Sequence, residues 1–269
     1  MAPSESPAPL RDAATVVLVR DTASGIEVFL QRRVQQMAFA GGMTVFPGGG
    51  VDPRDAEVDL DWTGPDAHWW AEAFATDADT AKALVCAAVR ETFEECGVLL
   101  ATGADGSSPE PETFATQRAQ LVDKSLSLAD FFRAQQLTLR ADLLRPLAHW
   151  ITPVNEKRRY DTRFFVAALP DGQDADDQTS EAEVARWVGA REALDAWAAG
   201  QHFLLPPTWA QLTAIAEYDA VADLLAATHD IKPIQPSITP GAGLAGLSFA
   251  GSDRYFAMLG EQKVPDITL

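Results

Sequence analysis

Residues 80–96 constrain this chain more than any other segment, because they must bury one face of a helix while carrying a dense row of acids. Val85, Val89, Phe93 and Cys96 recur at three- to four-residue spacing, which predicts an amphipathic helix, and Gly97 supplies its C-terminal stop. Within it, Arg90-Glu91-Thr92-Phe93-Glu94-Glu95 places Glu91, Glu94 and Glu95 at i, i+3 and i+4, on one side. Like charges so spaced cost an isolated helix roughly a few tenths of a kcal/mol per pair. They require open solvent or a compensating cation, and a hard divalent ion, Mg2+ or Mn2+, takes carboxylate oxygens readily. From these residues alone, a solvated acidic face is the competing reading.

The flanking pattern predicts a mixture of strands and helices. Residues 13–20 and 26–32 alternate as a hairpin across a turn at 21–25, and a short apolar run at 43–46 ends in Pro47-Gly48-Gly49-Gly50, which must turn. Residues 1–12 read as a flexible tail. Residues 51–79 are acidic, carry Trp62, Trp69 and Trp70, and read as an insertion. Residues 111–137, 191–199 and 207–227 have helical spacing, 147–152 and 162–169 read as strands, and 232–269 as an irregular extension rich in Pro and Gly.

Composition narrows the partners. With 39 Asp and Glu against 21 Lys and Arg, the formal charge of -18 repels polyanions, so no nucleic-acid partner is expected. A small anion remains compatible, because a bound cation or a local Arg cluster reverses the sign inside one cleft. No secretory leader pattern and no uncharged apolar run of about 18 residues is present, so no membrane partner and a cytoplasmic location are expected. Cys86 and Cys96 read as core packing. His68, His149, His202 and His229 lack zinc-type spacing, and there is no G-x-S-x-G elbow. Gly241-Ala242-Gly243-Leu244-Ala245-Gly246 matches G-x-G-x-x-G but follows Pro240 instead of a buried strand, so it reads as a surface loop.

Gly49, Asp55, Arg90-Glu91, Glu94-Glu95 and Gly97 together resemble the Nudix signature G-x5-E-x7-R-E-U-x-E-E-x-G-U. Asp55 stands at the first Glu position, Thr92 replaces a bulky aliphatic residue, and residues 56–89 stand where the family has seven. A long insert inside the box is similar to the coenzyme A diphosphatase branch of Nudix hydrolases. The resemblance continues through Gln31-Arg32-Arg33, Phe39, Gly42, Val45–Gly49, Trp150–Pro153, Arg159–Phe165 and Pro206-Pro207, roughly residues 13 to 227.

The resemblance implies an α+β fold, an α/β/α sandwich with a mixed sheet between helices, an insertion inside the box, and a helical C-terminal extension over one side. It implies metal binding by Glu91, Glu94 and Glu95, with Glu181 from a later loop as a further ligand and Glu183 its competitor. Arg90 would hold loop and helix in register. Arg32, Arg33, Gly48, Gly49 and Arg159 are the expected substrate contacts. A coenzyme A motif of the family is matched at Arg33, Gly42 and Phe46–Gly49 but not at Val34 or Ala38. The implied reaction is metal-dependent hydrolysis of the diphosphate in a nucleoside diphosphate linked to another moiety. Coenzyme A or acyl-CoA is expected first, giving 3′,5′-ADP and (acyl-)phosphopantetheine. ADP-ribose or a dinucleotide such as NADH, or nucleotide sensing without turnover, are the alternatives. The segment after Ile231 offers a surface for a homodimer.

Overall fold

The computed structural model describes residues 7–34, 40–56, 60, 62–179, 182–239 and 242–260. Strands β1 (Leu10–Thr22) and β2 (Gly25–Arg33) form the expected hairpin, with Val19 opposite Val28 and Thr22 opposite Gly25. Gly25, at φ 113°, turns the chain. Residues 10–12, expected in the tail, are already strand. They do not reveal this by alternation, because their partner lies far along the chain.

Short strands β3 (Thr44–Val45) and β4 (Gly48–Gly50) follow, then α1 (Pro53–Ala56), β5 (Trp62–Thr63), α2 (Ala67–Phe74) and the long α3 (Ala78–Cys96). After β6 (Ala101–Thr102) come α4 (Ala115–Val122), α5 (Leu128–Gln135), β7 (Thr138–Arg140), β8 (Leu144–Ile151), β9 (Arg159–Ala168) and β10 (Ala182–Gly189). Helices α6 (Ala190–Ala198), α7 (Pro206–Ile215) and α8 (Val221–Ala226) precede β11 (Pro233–Ile234), β12 (Ser237–Ile238), β13 (Leu247–Ser248) and α9 (Ser252–Leu259).

The main sheet is mixed, in the order β10-β2-β1-β9-β8-β11, with β3 added to β2 and β4 to β1. Its centre is a ten-residue parallel pairing of β1 with β9, from Leu10 opposite Arg159 to Val19 opposite Ala168. Strand alternation splits the core in two. Ala14, Val16 and Leu18 pack with Leu84, Val85 and Phe93 of α3 on one face. Val17 and Val19 pack with Trp197, Trp209 and Leu212 of α6 and α7 on the other. The result is the expected α/β/α sandwich.

The insertion builds part of that core. Trp70 and Phe74 of α2 meet Phe165 of β9 at ring-centre distances of 5.4 and 5.0 Å. The C-terminal extension is also more ordered than its composition suggests: Tyr255 of α9 is buried among Trp197, Trp209 and Phe249, and its hydroxyl donates to Leu204 O at 2.8 Å. Gly241 lies outside the described residues, and residues 243–246 form a 3-10 turn instead of a phosphate loop leading into a long helix. Cys86 and Cys96 are free and fully buried, and burial pushes the Cys86 thiol up to about 12. Among the described residues, no helix is long and apolar enough to cross a membrane.

Candidate active site

Helix α3 is fixed at both ends by side chains and glycine. The Asp77 carboxylate accepts the Thr80 backbone N–H at 2.8 Å, which starts the helix two residues earlier than its apolar periodicity indicates. Gly97 ends it at φ 72°, where a Cβ would stand 2.5 Å from Asp176 Oδ2. Between these ends, Leu84, Val85 and Phe93 anchor the helix on the sheet.

Strand β4 carries the glycine turn to the acidic end of this helix. It pairs antiparallel with β1, Ala13 opposite Gly50 and Thr15 opposite Gly48. The Gly48 N–H donates to Glu95 Oε2 at 2.9 Å. A Cβ on Gly49 would lie 2.5 Å from Glu91 Oε1, so the glycine is what lets the backbone approach the carboxylate.

Arg90 joins loop, short helix α1 and α3. Its Nη2 donates to Asp55 Oδ2 at 2.9 Å and to Gly50 O at 3.0 Å, and its Nη1 donates to Glu91 Oε1 at 2.7 Å and to both Glu94 oxygens at 3.3 Å. Burial opposes the guanidinium charge, and the carboxylates of Glu91, Asp55 and Glu94 outweigh it, raising the Arg90 pKa above its ordinary value. Burial raises the Glu94 carboxyl against the pull of Arg90. Asp55, 2% exposed, also accepts the Asp52 N–H at 2.8 Å, so the shorter acid at the signature's Glu position still closes the box.

Gly48, Gly49, Arg90, Glu91, Glu94 and Glu95 form one wall of a cleft of about 1150 Å³. Its floor is the face of β1 and β9 opposite α3, with Ala13, Thr15, Tyr160, Thr162 and Phe164, and Trp150 of β8 beyond. Leu205, Pro206, Pro236 and Leu247 make the far, apolar wall. The three helix glutamates therefore border the cavity at its polar end.

The donor chemistry there suits a hard divalent cation: Asp55, Glu91 and Glu94 share a single guanidinium, and the carboxylate oxygens outnumber the positive charges bonded to them. Among the described residues, however, no three acidic, His or Cys side chains converge tightly enough to hold an ion as they stand. Glu91 and Glu94 turn toward Arg90 while Glu95 turns toward Gly48, so an ion would have to draw them together.

The other expected residues divide. Arg33 lines the cleft with Gly48 and Gly49, whereas Arg32 is exposed and outside its lining. Arg159 is buried and does not reach the cleft: its Nε donates to Pro153 O at 3.1 Å and Thr152 O at 3.3 Å, and its Nη1 donates to Ala8 O at 3.3 Å. It fastens the β8–β9 turn and the segment leading into β1, a role decided by tertiary packing that its basic neighbours in sequence conceal. Glu181 lies outside the described residues, and Glu183 is exposed on β10. His149 is buried and bonds Asp161.

Arg118 of α4 was not legible as part of the site. Its Nη1 and Nη2 donate to Asp176 at 2.6 and 2.9 Å, and its Nε donates to Glu94 O at 3.1 Å. This clamps the 174–179 loop against the last turn of α3, where Asp176 N also donates to Cys96 O at 3.0 Å. A lone Arg in a helical stretch carries no local signal of such a role.

Comparison with known proteins agrees with this geometry. The family model for the NUDT19 Nudix domain matches residues 68–215. Nudix hydrolase 7 of Caenorhabditis elegans is 30% identical over 91% of this chain and 74% of its own length. The acyl-coenzyme A diphosphatase NUDT19 of Gallus gallus is 29% identical over 73% of this chain, which spans 62% of that protein. The crystal structure of a NUDIX hydrolase from Alicyclobacillus acidocaldarius superposes with a TM-score of 0.67 at 29% identity, covering 82% of this chain and 97% of that one. The interrupted box, closed by Asp55 on Arg90, and these matches along most of the sequence lead to one conclusion: the chain belongs to the Nudix hydrolase family.

Proposed function

We propose that this chain is a divalent-metal-dependent diphosphatase that hydrolyses a nucleoside diphosphate linked to another moiety, with coenzyme A or acyl-CoA as the leading substrates. The observation that carries the reading is the polarity of the cleft, acidic where α3 meets the glycine turn and aromatic to apolar toward Trp150, Leu205 and Pro236. A diphosphate suits the first end through a cation, and a long, weakly polar arm suits the second. The name of the Gallus gallus relative, an acyl-coenzyme A diphosphatase, supports the same substrate class.

Glu91, Glu94 and Glu95 would hold Mg2+ or Mn2+, with Glu181 as a further candidate ligand. The ion would supply Lewis acidity, neutralising the diphosphate and making water a stronger acid. Arg90 holds Glu91 and Glu94 in place and ties them to Asp55 and the Gly50 carbonyl. Gly48 and Gly49 let the loop backbone pack directly against the acidic end of the helix and line the cleft where a diphosphate would lie. Arg33 offers a guanidinium to phosphate oxygens from the cleft wall.

The test is to incubate the protein with Mg2+ or Mn2+ and coenzyme A, an acyl-CoA, NADH or ADP-ribose, and identify both products of each. Cleavage of coenzyme A or acyl-CoA to 3′,5′-ADP and (acyl-)phosphopantetheine is expected. Release of phosphorylated products from none of them would overturn the reading in favour of a nucleotide-sensing module.

A further inference from the structure

We infer that Arg11 and Arg158 form a second anion subsite on the cleft floor, separate from the diphosphate site, which takes a phosphomonoester carried elsewhere on the nucleoside. The inference rests on the proposed nucleoside diphosphate chemistry and adds the feature that selects among such substrates.

Several arginines of this acidic chain are committed to carboxylates: Arg20 to Glu27, Arg54 to Asp52, Arg90 to Asp55, Arg118 to Asp176, Arg133 to Asp130, Arg140 to Asp142 and Arg163 to Asp161. Arg11 and Arg158 are not. Both are exposed, both line the cleft, and among the described residues neither side chain has an ion-pair or hydrogen-bond partner. Asp12, the acid next in sequence to Arg11, turns instead to Arg163 at 3.2 Å. Two uncompensated guanidiniums facing one cavity in a chain of charge -18 mark a place where an anion is missing from the protein's own pairing.

The sheet brings them together. In the parallel β1–β9 pairing Leu10 stands opposite Arg159 and Arg11 opposite Tyr160. Arg158 immediately precedes that pairing, in the bend that leads into β9 and two residues before Tyr160, so chain geometry keeps its Cα within about 12 Å of that of Arg11. Two side chains of this length reach one phosphate from such a distance, and guanidinium forks match its oxygens. Tyr160 lines the cleft beside them.

The position relative to the carboxylates fits a single nucleotide. Gly50, whose carbonyl accepts Arg90 Nη2, stands opposite Ala13, two residues from Arg11. Strand geometry puts Gly50 and Arg11 about 8 Å apart, so a diphosphate at the glycine turn leaves a nucleoside's remaining ester within reach of the arginines. Coenzyme A offers this group at the ribose 3′ position and NADPH at the 2′ position, and the shared chemistry is the dianionic monoester.

The experiment measures kcat/KM for coenzyme A against dephospho-CoA, and for NADPH against NADH, in the wild type and the Arg11→Gln/Arg158→Gln double variant. The wild type is expected to favour the phosphorylated member of at least one pair by about tenfold or more, and the favoured pair identifies the 3′ or 2′ source. In the double variant that preference collapses toward one, carried by KM. No preference in the wild type, or a preference that survives in the double variant, overturns the inference. If the wild type hydrolyses none of the four, the proposed reaction fails, and calorimetry with 3′,5′-ADP and 5′-AMP decides the subsite by itself. Tighter binding of 3′,5′-ADP that disappears in the double variant supports the subsite, and equal affinities overturn it. Both side chains are exposed, so unfolding of the double variant is not expected, and its thermal midpoint checks this.

Discussion

Asp55 and Arg90 stand 35 positions apart in sequence and meet through Nη2–Oδ2 at 2.9 Å and two further contacts from Nε at 3.1 and 3.2 Å. The long insertion therefore leaves the two halves of the box in direct contact. Its α2 and the first turns of α3 pack into the core through Trp70, Phe74 and Leu84.

Arg90→Gln is expected to cost about 3 kcal/mol or more of folding stability, because it leaves Asp55 buried beside two other acids without their shared cation. Arg90→Lys, which keeps the charge but loses the fork, is expected to fall between. Urea denaturation measures both, and a loss under about 1 kcal/mol for Arg90→Gln would contradict the account.

The two glycines of the turn should fail differently. A Cβ on Gly48 would press on the Ala14 carbonyl oxygen at 2.5 Å and the Thr15 Cα at 2.7 Å, which are backbone and cannot yield, so Gly48→Ala is expected to destabilise the fold by about 1–3 kcal/mol. A Cβ on Gly49 meets the end of the Glu91 side chain, which can swing away. Gly49→Ala is therefore expected to keep most of the stability while turnover falls about tenfold or more through the displaced carboxylate. Thermal melts alongside steady-state rates separate the two patterns.

Much of this was legible locally. The hairpin, helix α3, its glycine stop and the acid spacing on one helical side are consequences of neighbours within a few residues. What escaped depends on contacts far along the chain. Leu10, Arg11 and Asp12 look like tail because the strand that makes them strand, β9, starts at Arg159. Arg159 looks like a substrate contact because nothing in Lys157-Arg158-Arg159 says which guanidinium turns inward to backbone carbonyls and which faces the cleft. Trp70 looks like part of a peripheral insert until Phe165 is brought against it.

Arg118 is expected to order the 174–179 loop. Replacing it with Ala removes the fork on Asp176 and the bond to Glu94 O, at a cost of about 1–2 kcal/mol given the partial exposure of Asp176. Hydrogen exchange should speed up in residues 174–179 well beyond any change in the sheet. Uniform acceleration across the protein would instead indicate general destabilisation.

Acid should weaken the fold through carboxylates bonded to arginine. Side-chain hydrogen bonds from Arg54 hold the Asp52 carboxyl well below the usual carboxylate range, and Arg140 does the same, less strongly, to Asp142. A carboxyl depressed on folding stabilises the native state fully above its unfolded value, here near 3.8, and that contribution is lost as pH falls through the folded value. Unfolding free energy is therefore expected to drop below about pH 4, with a shallower slope in Asp52→Asn. Denaturant titrations from about pH 5 to about pH 3 measure it, and equal slopes would remove Asp52 from the explanation.

The most direct test of the account is the rate of coenzyme A cleavage with Mg2+ by wild type and by Glu95→Gln, with binding of the substrate to each protein followed by calorimetry. The expected result is release of 3′,5′-ADP by the wild type and a loss on the order of 100-fold in the variant, with much of the substrate affinity retained. Undiminished cleavage by a correctly folded Glu95→Gln protein would contradict the assignment of this helix edge to the reaction.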